Sequence, residues 1–330
     1  MQNLPNLSIS RRKIDGPTLY PYEPSTDEYT YVASAFNLAI PMFTNPWSKE
    51  VFANIALLFD SHSMQSQLFQ EDKSQAEASV FWFTRELQTR PPRIVLEDNI
   101  VNTGCLGYHP RLPWDNDDGN FPFEMQGVHL NTKIINDMVA AGNGKSEESQ
   151  QRFRNFQFAF ATTFVHEIGA HMFLTWLGGG RPDTPAEMAV PGYEFGGSPG
   201  ESGRFFELHA FGGTTEYYQD DKEDNGQSGV PYQLDANGGA WKIDPDVINR
   251  LCSHGEITLP FNRVGSMVDR TTLNSIGQNS INPFQTPPPV FMGKQSDIQP
   301  QLRFLKSYTV SVSDLKQIPK NPAKRLVAIA

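Results

Sequence analysis

Apolar residues recur three, four and seven positions apart in two early stretches of the chain, which is the spacing of one face of an α-helix. The first stretch follows Ser48, a candidate N-cap, and carries Val51, Ile55 and Leu58. The second runs from residue 65 to residue 88. Its apolar positions are Phe69, Ala76, Val80, Phe83 and Leu87. The pattern predicts two amphipathic helices in this part of the chain.

Shorter apolar runs follow and indicate strands. RIVLED and NIVNTGCLGY are two candidate strands, and WDNDDGN, a turn-rich acidic loop, follows them. In GVHLNTKIIND, Val128 and Leu130 alternate with His129 and Asn131, as expected for a short half-buried strand. On this pattern we expect His129 to be an exposed strand residue and not a metal ligand.

Both ends of the chain are rich in proline and polar residues. PTLYPYEPSTDEY predicts an extended arm over residues 1–45. TPPPVF predicts that residues 277–330 wrap the same domain without a core of their own. We therefore expect one main domain over residues 46–276.

The composition indicates a folded, acidic protein. Of 330 residues, 38% are hydrophobic, and the formal net charge is -10. That charge opposes binding to nucleic acid or to anionic membranes, because both need clustered Lys and Arg. Cys105 and Cys252 are too few for a disulfide framework, and no run of about 18 apolar residues predicts a membrane span. Since the N-terminus also lacks the apolar core of a signal peptide, we expect a soluble cytoplasmic protein.

The strongest helical pattern runs from residue 151 to residue 176 and contains two histidines. Its apolar face, the aromatic stripe, consists of Phe153, Phe156, Phe160, Phe164 and Ile168. His166 lies about 200° round the helix from Phe164, away from this stripe. In a regular α-helix His171 would fall about 140° from His166, too far round for both side chains to bind one ion.

A single π-type turn between the histidines removes this difficulty. One extra residue absorbed there brings His171 to about 40° from His166, the separation of two residues four apart in an α-helix. The same widening returns Met172 and Trp176 to within about 20° of Phe164, so that the buried face continues. Gly169 has the backbone freedom that such a distortion favours. The spacing therefore predicts a π-type turn over residues 168–171.

FVHEIGAHMFL resembles the active-site helix of the zincin metallopeptidases, in which His-Glu is followed by two residues and a second His. His166, Glu167 and His171 match this pattern with one extra residue. The longer HExxxH spacing is similar to that of the TldD-type peptidases. The resemblance implies an α+β fold over residues 46–276, with N-terminal helices, a small mixed sheet beside the active-site helix, and a second helix that bears a ligand.

The resemblance also implies a zinc-dependent hydrolase, and specifically a metallopeptidase acting on a peptide or small-molecule substrate. His166 and His171 would bind Zn²⁺, and Glu167 would act as general base towards water activated by the metal. Fe²⁺ is an alternative, because two histidines and a carboxylate also suit that ion. Two other interpretations of the sequence remain open. The protein would be either a non-proteolytic metal-dependent enzyme acting on a small molecule or modified peptide, or a metal-free binding protein derived from a peptidase.

A third ligand is expected downstream, in SPGESGRFFELHAFGG. Glutamate-type zincins carry a Glu on a separate helix after the motif, and by this resemblance we choose Glu201. Glu207 and His209 in the same segment are the alternatives. A competing interpretation makes Glu201 part of a capping box with Ser198, which needs no metal.

Overall fold

The computed structural model describes residues 7–62, 68–101, 105–112, 114, 121–123, 125–178, 183–193, 200–220, 226–275 and 278–281. Its α-helices are α1 (Asp27–Thr44), α2 (Pro46–His62), α3 (Lys73–Thr89), α4 (Thr132–Asn143), α5 (Glu147–Phe164), α6 (Phe173–Gly178), α7 (Ser202–Phe206), α8 (Pro245–His254) and α9 (Arg270–Ser275). Its strands are β1 (Ile9–Arg12), β2 (Leu19–Pro21), β3 (Ile94–Glu97), β4 (Gly107–Tyr108), β5 (Val128–Asn131), β6 (Thr214–Asp220), β7 (Val230–Leu234), β8 (Gly239–Ile243), β9 (Arg263–Asp269) and β10 (Gln278–Ile281). Short 3-10 turns cover Asp98–Ile100 and Ala186–Met188, and π-helical turns cover Val165–Met172 and Glu207–Phe211.

The first sheet is mixed and has the strand order β2-β1-β3-β5-β4. Strands β1, β3 and β5 are parallel, whereas β2 and β4 run antiparallel at the two edges. Every residue of β3 and β5 is buried, as expected for the centre of a sheet that is covered on both faces. The strand predicted at RIVLED is β3, whereas in NIVNTGCLGY only Gly107–Tyr108 form a strand, β4, and the run begins in a 3-10 turn.

The burial of β5 corrects the expectation for His129. The side chain is buried, and its Nδ1 lies 3.2 Å from Oε2 of Glu97 on the neighbouring strand β3. The ring of Tyr108 stacks on the imidazole at a centroid distance of 4.7 Å. Alternation in β5 therefore does not separate a buried face from an exposed one, because both faces are covered.

The second sheet is antiparallel throughout and has the order β10-β6-β7-β8-β9. It follows the α7 segment in the chain. Together the two sheets and the surrounding helices make an α+β fold, as predicted. No helix in the described ranges is both long enough and apolar enough to cross a membrane.

The predicted long helix is present and forms the centre of the core. α5 begins after its N-cap Ser146 and continues through the π-helical turn into α6. Phe164 packs edge-to-face on Phe36 of α1, with a centroid distance of 5.3 Å. Leu96 and Leu130 of the first sheet belong to the same buried cluster. The aromatic stripe thus joins the long helix to α1 and to the sheet.

The extended arm predicted over residues 1–45 is wrong over Asp27–Thr44, which is helical. β1 and β2 pair within the first sheet, and Asp27–Thr44 is an α-helix that starts at the N-cap Thr26. The prolines near residue 20 end just before this helix, and only Pro41 lies inside it.

The second predicted helix starts at Lys73 with Asp72 as its N-cap, later than expected. Apart from β10, the predicted C-terminal wrapping segment lies outside the described residues, and the domain boundaries stay predictions.

Candidate metal centre

The histidine motif lies in a π-helical turn, as predicted. This turn spans Val165–Met172, and it brings the rings of His166 and His171 to a centroid distance of 4.8 Å. Gly169 has a packing role in the turn. A Cβ atom there would lie 2.7 Å from Cζ of Phe52 and 3.0 Å from Cε1 of Phe43. The glycine allows two core aromatics to approach the widened backbone.

The two imidazoles point to one carboxylate on the second helix. Nε2 of His166 lies 3.6 Å from Oε1 of Glu201, and Nε2 of His171 forms a hydrogen bond with the same oxygen. The ligand atoms of these three residues all lie within 4.8 Å of one another. A tetrahedral Zn²⁺ site with bonds of about 2 Å has its ligand atoms roughly 3.3 Å apart. An ion would therefore draw His166 closer to Glu201 and take the place of the hydrogen bond between His171 and Glu201. His166, His171 and Glu201, the candidate metal site, could therefore hold a metal ion.

Glu201 also caps α7. It is the N-cap residue of this helix, and its carboxylate accepts hydrogen bonds from the backbone N–H groups of Gly203, at 3.2 Å, and Arg204. The capping and metal-ligand interpretations of Glu201 are thus compatible, since one carboxylate faces both the helix and the histidines. Ser198, the other member of the predicted capping box, lies outside the described residues.

α7 approaches His166 so closely that only glycine fits between them. A Cβ atom on Gly203 would lie 2.3 Å from both Cε1 and Nε2 of His166. The imidazole therefore lies directly against the backbone of the first turn of α7. This contact fixes the position of the second helix relative to the motif.

Glu207, the first alternative ligand, contacts the other nitrogen of His166. Its Oε1 lies 2.7 Å from Nδ1 of that ring. Its Oε2 accepts hydrogen bonds from the backbone N–H of Thr215, at 2.7 Å, and from Nη1 of Arg204, at 3.1 Å. The carboxylate is fully buried. Glu207 thus orients the imidazole of His166, because a carboxylate on Nδ1 directs Nε2 towards Glu201.

His209, the second alternative, points away from the candidate metal site. Its side chain is exposed, and its Nδ1 lies 2.8 Å from the backbone carbonyl of Phe205 in its own helix. The indole N–H of Trp47 donates to the backbone carbonyl of His209 at 2.9 Å. These contacts place His209 on the outer surface of the second helix.

Glu167 makes two contacts through the same oxygen. Oε2 accepts a hydrogen bond from the backbone N–H of His109 at 2.8 Å and lies 3.2 Å from Nδ1 of His171. His109 follows the edge strand β4 directly. The sequence offered no signal for this residue, since the contact is made by its backbone. Only 2% of Glu167 is exposed.

The charges at the site are mutually stabilising. Burial alone would lower the pKa of His171, but the carboxylates of Glu201 and Glu167 outweigh it and raise that pKa to about 9. Burial likewise disfavours the charge of Glu201, yet His166 and His171 hold the pKa of its carboxyl far below the usual range. Glu201 therefore faces the imidazoles as a carboxylate. It can balance the charge of a cation held there, whether that cation is a proton or a metal ion.

Tyr217, Tyr218 and His254 carry donor groups, but their surroundings differ from those of the candidate metal site. The hydroxyl of Tyr217 lies 2.6 Å from Oγ1 of Thr162, and the hydroxyl of Tyr218 donates to Glu216 at 2.6 Å. His254 is exposed in the last turn of α8. These contacts give none of the three a role at the candidate metal site.

No protein family, curated protein or solved structure matches the chain.

Proposed function

We propose that the protein is a zinc-dependent hydrolase with a zincin-like catalytic domain, and that it cleaves peptide bonds. The observation that carries this proposal is the approach of Nε2 of His166 and Nε2 of His171 to one oxygen of Glu201. A glutamate, Glu167, directly follows the first of these histidines. Two histidines and a carboxylate from a second helix are the ligand set of one class of catalytic zinc sites.

The metal ion would be held by His166, His171 and Glu201. When bound, Zn²⁺ supplies Lewis-acid chemistry: it polarises a carbonyl group and lowers the pKa of water towards about 7. Two neutral imidazoles and one carboxylate leave one net positive charge on a divalent ion, which favours this chemistry. The carboxylates of Glu207 and Glu167 on the two Nδ1 atoms support the assignment, because ligand histidines commonly donate their second N–H to such a partner.

Glu167 is the proposed general base. Both of its hydrogen bonds within the described residues use Oε2. Oε1 accepts no hydrogen bond from the described part of the chain, so it is available to take a proton from water and deliver it to the leaving amine. One oxygen therefore holds the carboxylate in place while the other transfers the proton.

The exposure of the ligands indicates the side from which substrate would approach. His166 is fully buried against α7, whereas 19% of the His171 side chain and 17% of the Glu201 side chain are exposed. Substrate would therefore reach the metal ion past His171 and Glu201. A site that is open on one side and closed on the other suits catalysis better than a purely structural ion.

A second candidate function keeps the metal ion and changes the reaction. Two histidines and one carboxylate with open positions are also the ligand set of non-haem Fe²⁺ enzymes. The donor atoms of the candidate metal site fit this set as well as they fit zinc. The alternative reaction would be a non-proteolytic step on a small molecule or a modified peptide.

The proposal is tested by metal analysis followed by an activity assay. The protein is purified without added metal, its bound metals are quantified by mass spectrometry, and the zinc-loaded form is incubated with a proteome-derived peptide library. We expect one zinc ion per chain and peptide cleavage that disappears in Glu167→Gln. Bound iron with no cleavage would favour the second candidate. Failure to bind any divalent metal would overturn both and favour a binding protein.

A further inference from the structure

We infer that Glu167 has a second role, as the residue that positions His171 for the metal ion. The inference rests on the proposed metal site but not on the reaction catalysed there. Its basis is the contact of 3.2 Å between Oε2 of Glu167 and Nδ1 of His171. In this role Glu167 acts before any substrate is bound.

The contact determines which nitrogen of His171 is available to a metal ion. A neutral imidazole carries one proton, and the hydrogen bond made by one nitrogen decides the state of the other. Because a carboxylate only accepts hydrogen bonds, Glu167 favours the tautomer of His171 that is protonated at Nδ1. In the metal-free protein Nε2 donates to a second carboxylate, Glu201. A metal ion would displace the proton on Nε2, while the contact with Glu167 keeps the other proton on Nδ1 and so leaves the lone pair of Nε2 for the ion.

Glu167 can orient the ring because it is itself fixed by the first sheet. The backbone N–H of His109 donates to the same Oε2 at 2.8 Å. His109 follows β4, and this strand packs so tightly that a Cβ atom on Gly107 would lie 2.7 Å from the carbonyl oxygen of His129. The chain of contacts therefore runs from the edge of the sheet, through Glu167, to His171.

Burial distinguishes this contact from an ordinary ion pair on a helix surface. Glu and His four residues apart often meet on exposed helices, where the interaction is weak. Here Glu167 is almost completely buried and has an additional backbone donor. His166 has an equivalent carboxylate, Glu207, from a different helix, so both imidazoles are held in the same way at Nδ1.

The test compares the zinc affinities of Glu167→Gln and Glu167→Ala, measured by competition with a chromophoric chelator. Glutamine keeps an oxygen that accepts the Nδ1–H of His171, so we expect Glu167→Gln to bind zinc nearly as tightly as the parent. Alanine removes the acceptor, and we expect its affinity to fall roughly ten- to hundredfold. Glu148→Ala, an exposed carboxylate on α5 that pairs with Arg152 at 3.6 Å, is the matched control and should leave the affinity unchanged.

A second readout uses the parent protein and does not depend on whether a variant folds. In the zinc-loaded protein, nitrogen-edited NMR should show a His171 Nδ1–H signal that is protected from exchange. Absence of that signal, or an unchanged zinc affinity in Glu167→Ala, would overturn the inference while leaving the proposed hydrolase intact. A parent protein that binds no zinc would overturn the proposed function and this inference together.

Discussion

At the scale of single residues, Glu201 combines two roles that one substitution can separate. Asparagine is a good N-cap but has no charge, whereas alanine neither caps a helix nor binds metal. We expect both Glu201→Asn and Glu201→Ala to lower the affinity for zinc by more than about a hundredfold. Removal of an orienting partner costs at most about that factor. We expect Glu201→Asn to be more stable than Glu201→Ala by about 1 kcal/mol in chelator, because α7 keeps its cap. Urea unfolding of the two metal-free variants measures that difference, and equal stabilities would remove the capping role.

Gly203 is a second residue whose identity follows from its surroundings. A methyl group there would overlap the ring of His166, with a Cβ contact of 2.3 Å. Since the ring is buried between two helices, Gly203→Ala should displace His166, abolish zinc binding and lower the free energy of unfolding by about 1–3 kcal/mol. Gly16→Ala, where the nearest atom would be 4.0 Å from the new carbon, is the control. Zinc binding that survives in Gly203→Ala would show that His166 is not a ligand in this position.

Buried His109 makes the stability of the protein depend on pH. Burial lowers the pKa of His109 to about 3, from an ordinary value of about 6.5. Between these two values the unfolded chain binds the proton and the folded protein does not, so stability falls as the pH falls through this window. The contribution of this one group approaches about 1.4 kcal/mol per pH unit. Urea unfolding of the parent and of His109→Gln at pH 7, 6 and 5 should show that the variant loses less free energy of unfolding as the pH falls. Equal losses in the two proteins would contradict the lowered pKa of His109.

At the scale of elements, the π-helical turn can be tested by removing the residue that it absorbs. Deletion of Ala170 gives a regular α-helix in which the histidines are four apart and still about 40° from each other. Residues beyond the turn keep their buried face, so we expect cooperative unfolding and zinc binding to persist. Deletion of Ala159 in α5 is the control, because it rotates one half of the helix by about 100° against the other and should destroy both properties. Circular dichroism and the chelator competition assay measure the outcome, and similar loss in both deletions would contradict the role given to the turn.

The sequence predicted this element correctly because its evidence is local. The aromatic stripe defines the buried face of the helix before the motif. Met172 and Trp176 return to that face only if a widened turn absorbs one residue. α1 was missed although Phe36, Ala39 and Phe43 have helical spacing, since nearby prolines suggested an extended segment. The burial of His129 was missed because it depends on what covers the second face of the sheet. The pairing of Glu207 with His166 was missed because it joins residues 41 positions apart.

At the scale of the whole molecule, the candidate metal site connects the two sheets. The backbone N–H of His109, beside β4 of the first sheet, holds Glu167. The backbone N–H of Thr215, in β6 of the second sheet, holds Glu207. The candidate ligands come from the long central helix and from the N-terminus of α7. Occupation of the site should therefore stabilise more of the protein than the two helices alone.

Zinc addition tests this coupling. An ion that binds only the folded protein should raise its free energy of unfolding by about 2.7 kcal/mol when free zinc exceeds the dissociation constant a hundredfold. Urea unfolding in chelator and in buffered zinc measures the shift, and His171→Asn, which lacks one ligand, should show none. If both sheets take part, amide hydrogen exchange at His109 and at Thr215 should slow on zinc addition in the parent and not in the variant. Slowing at only one of these amides would mean that the ion is coupled to a single sheet, because each amide reports on the sheet that carries it.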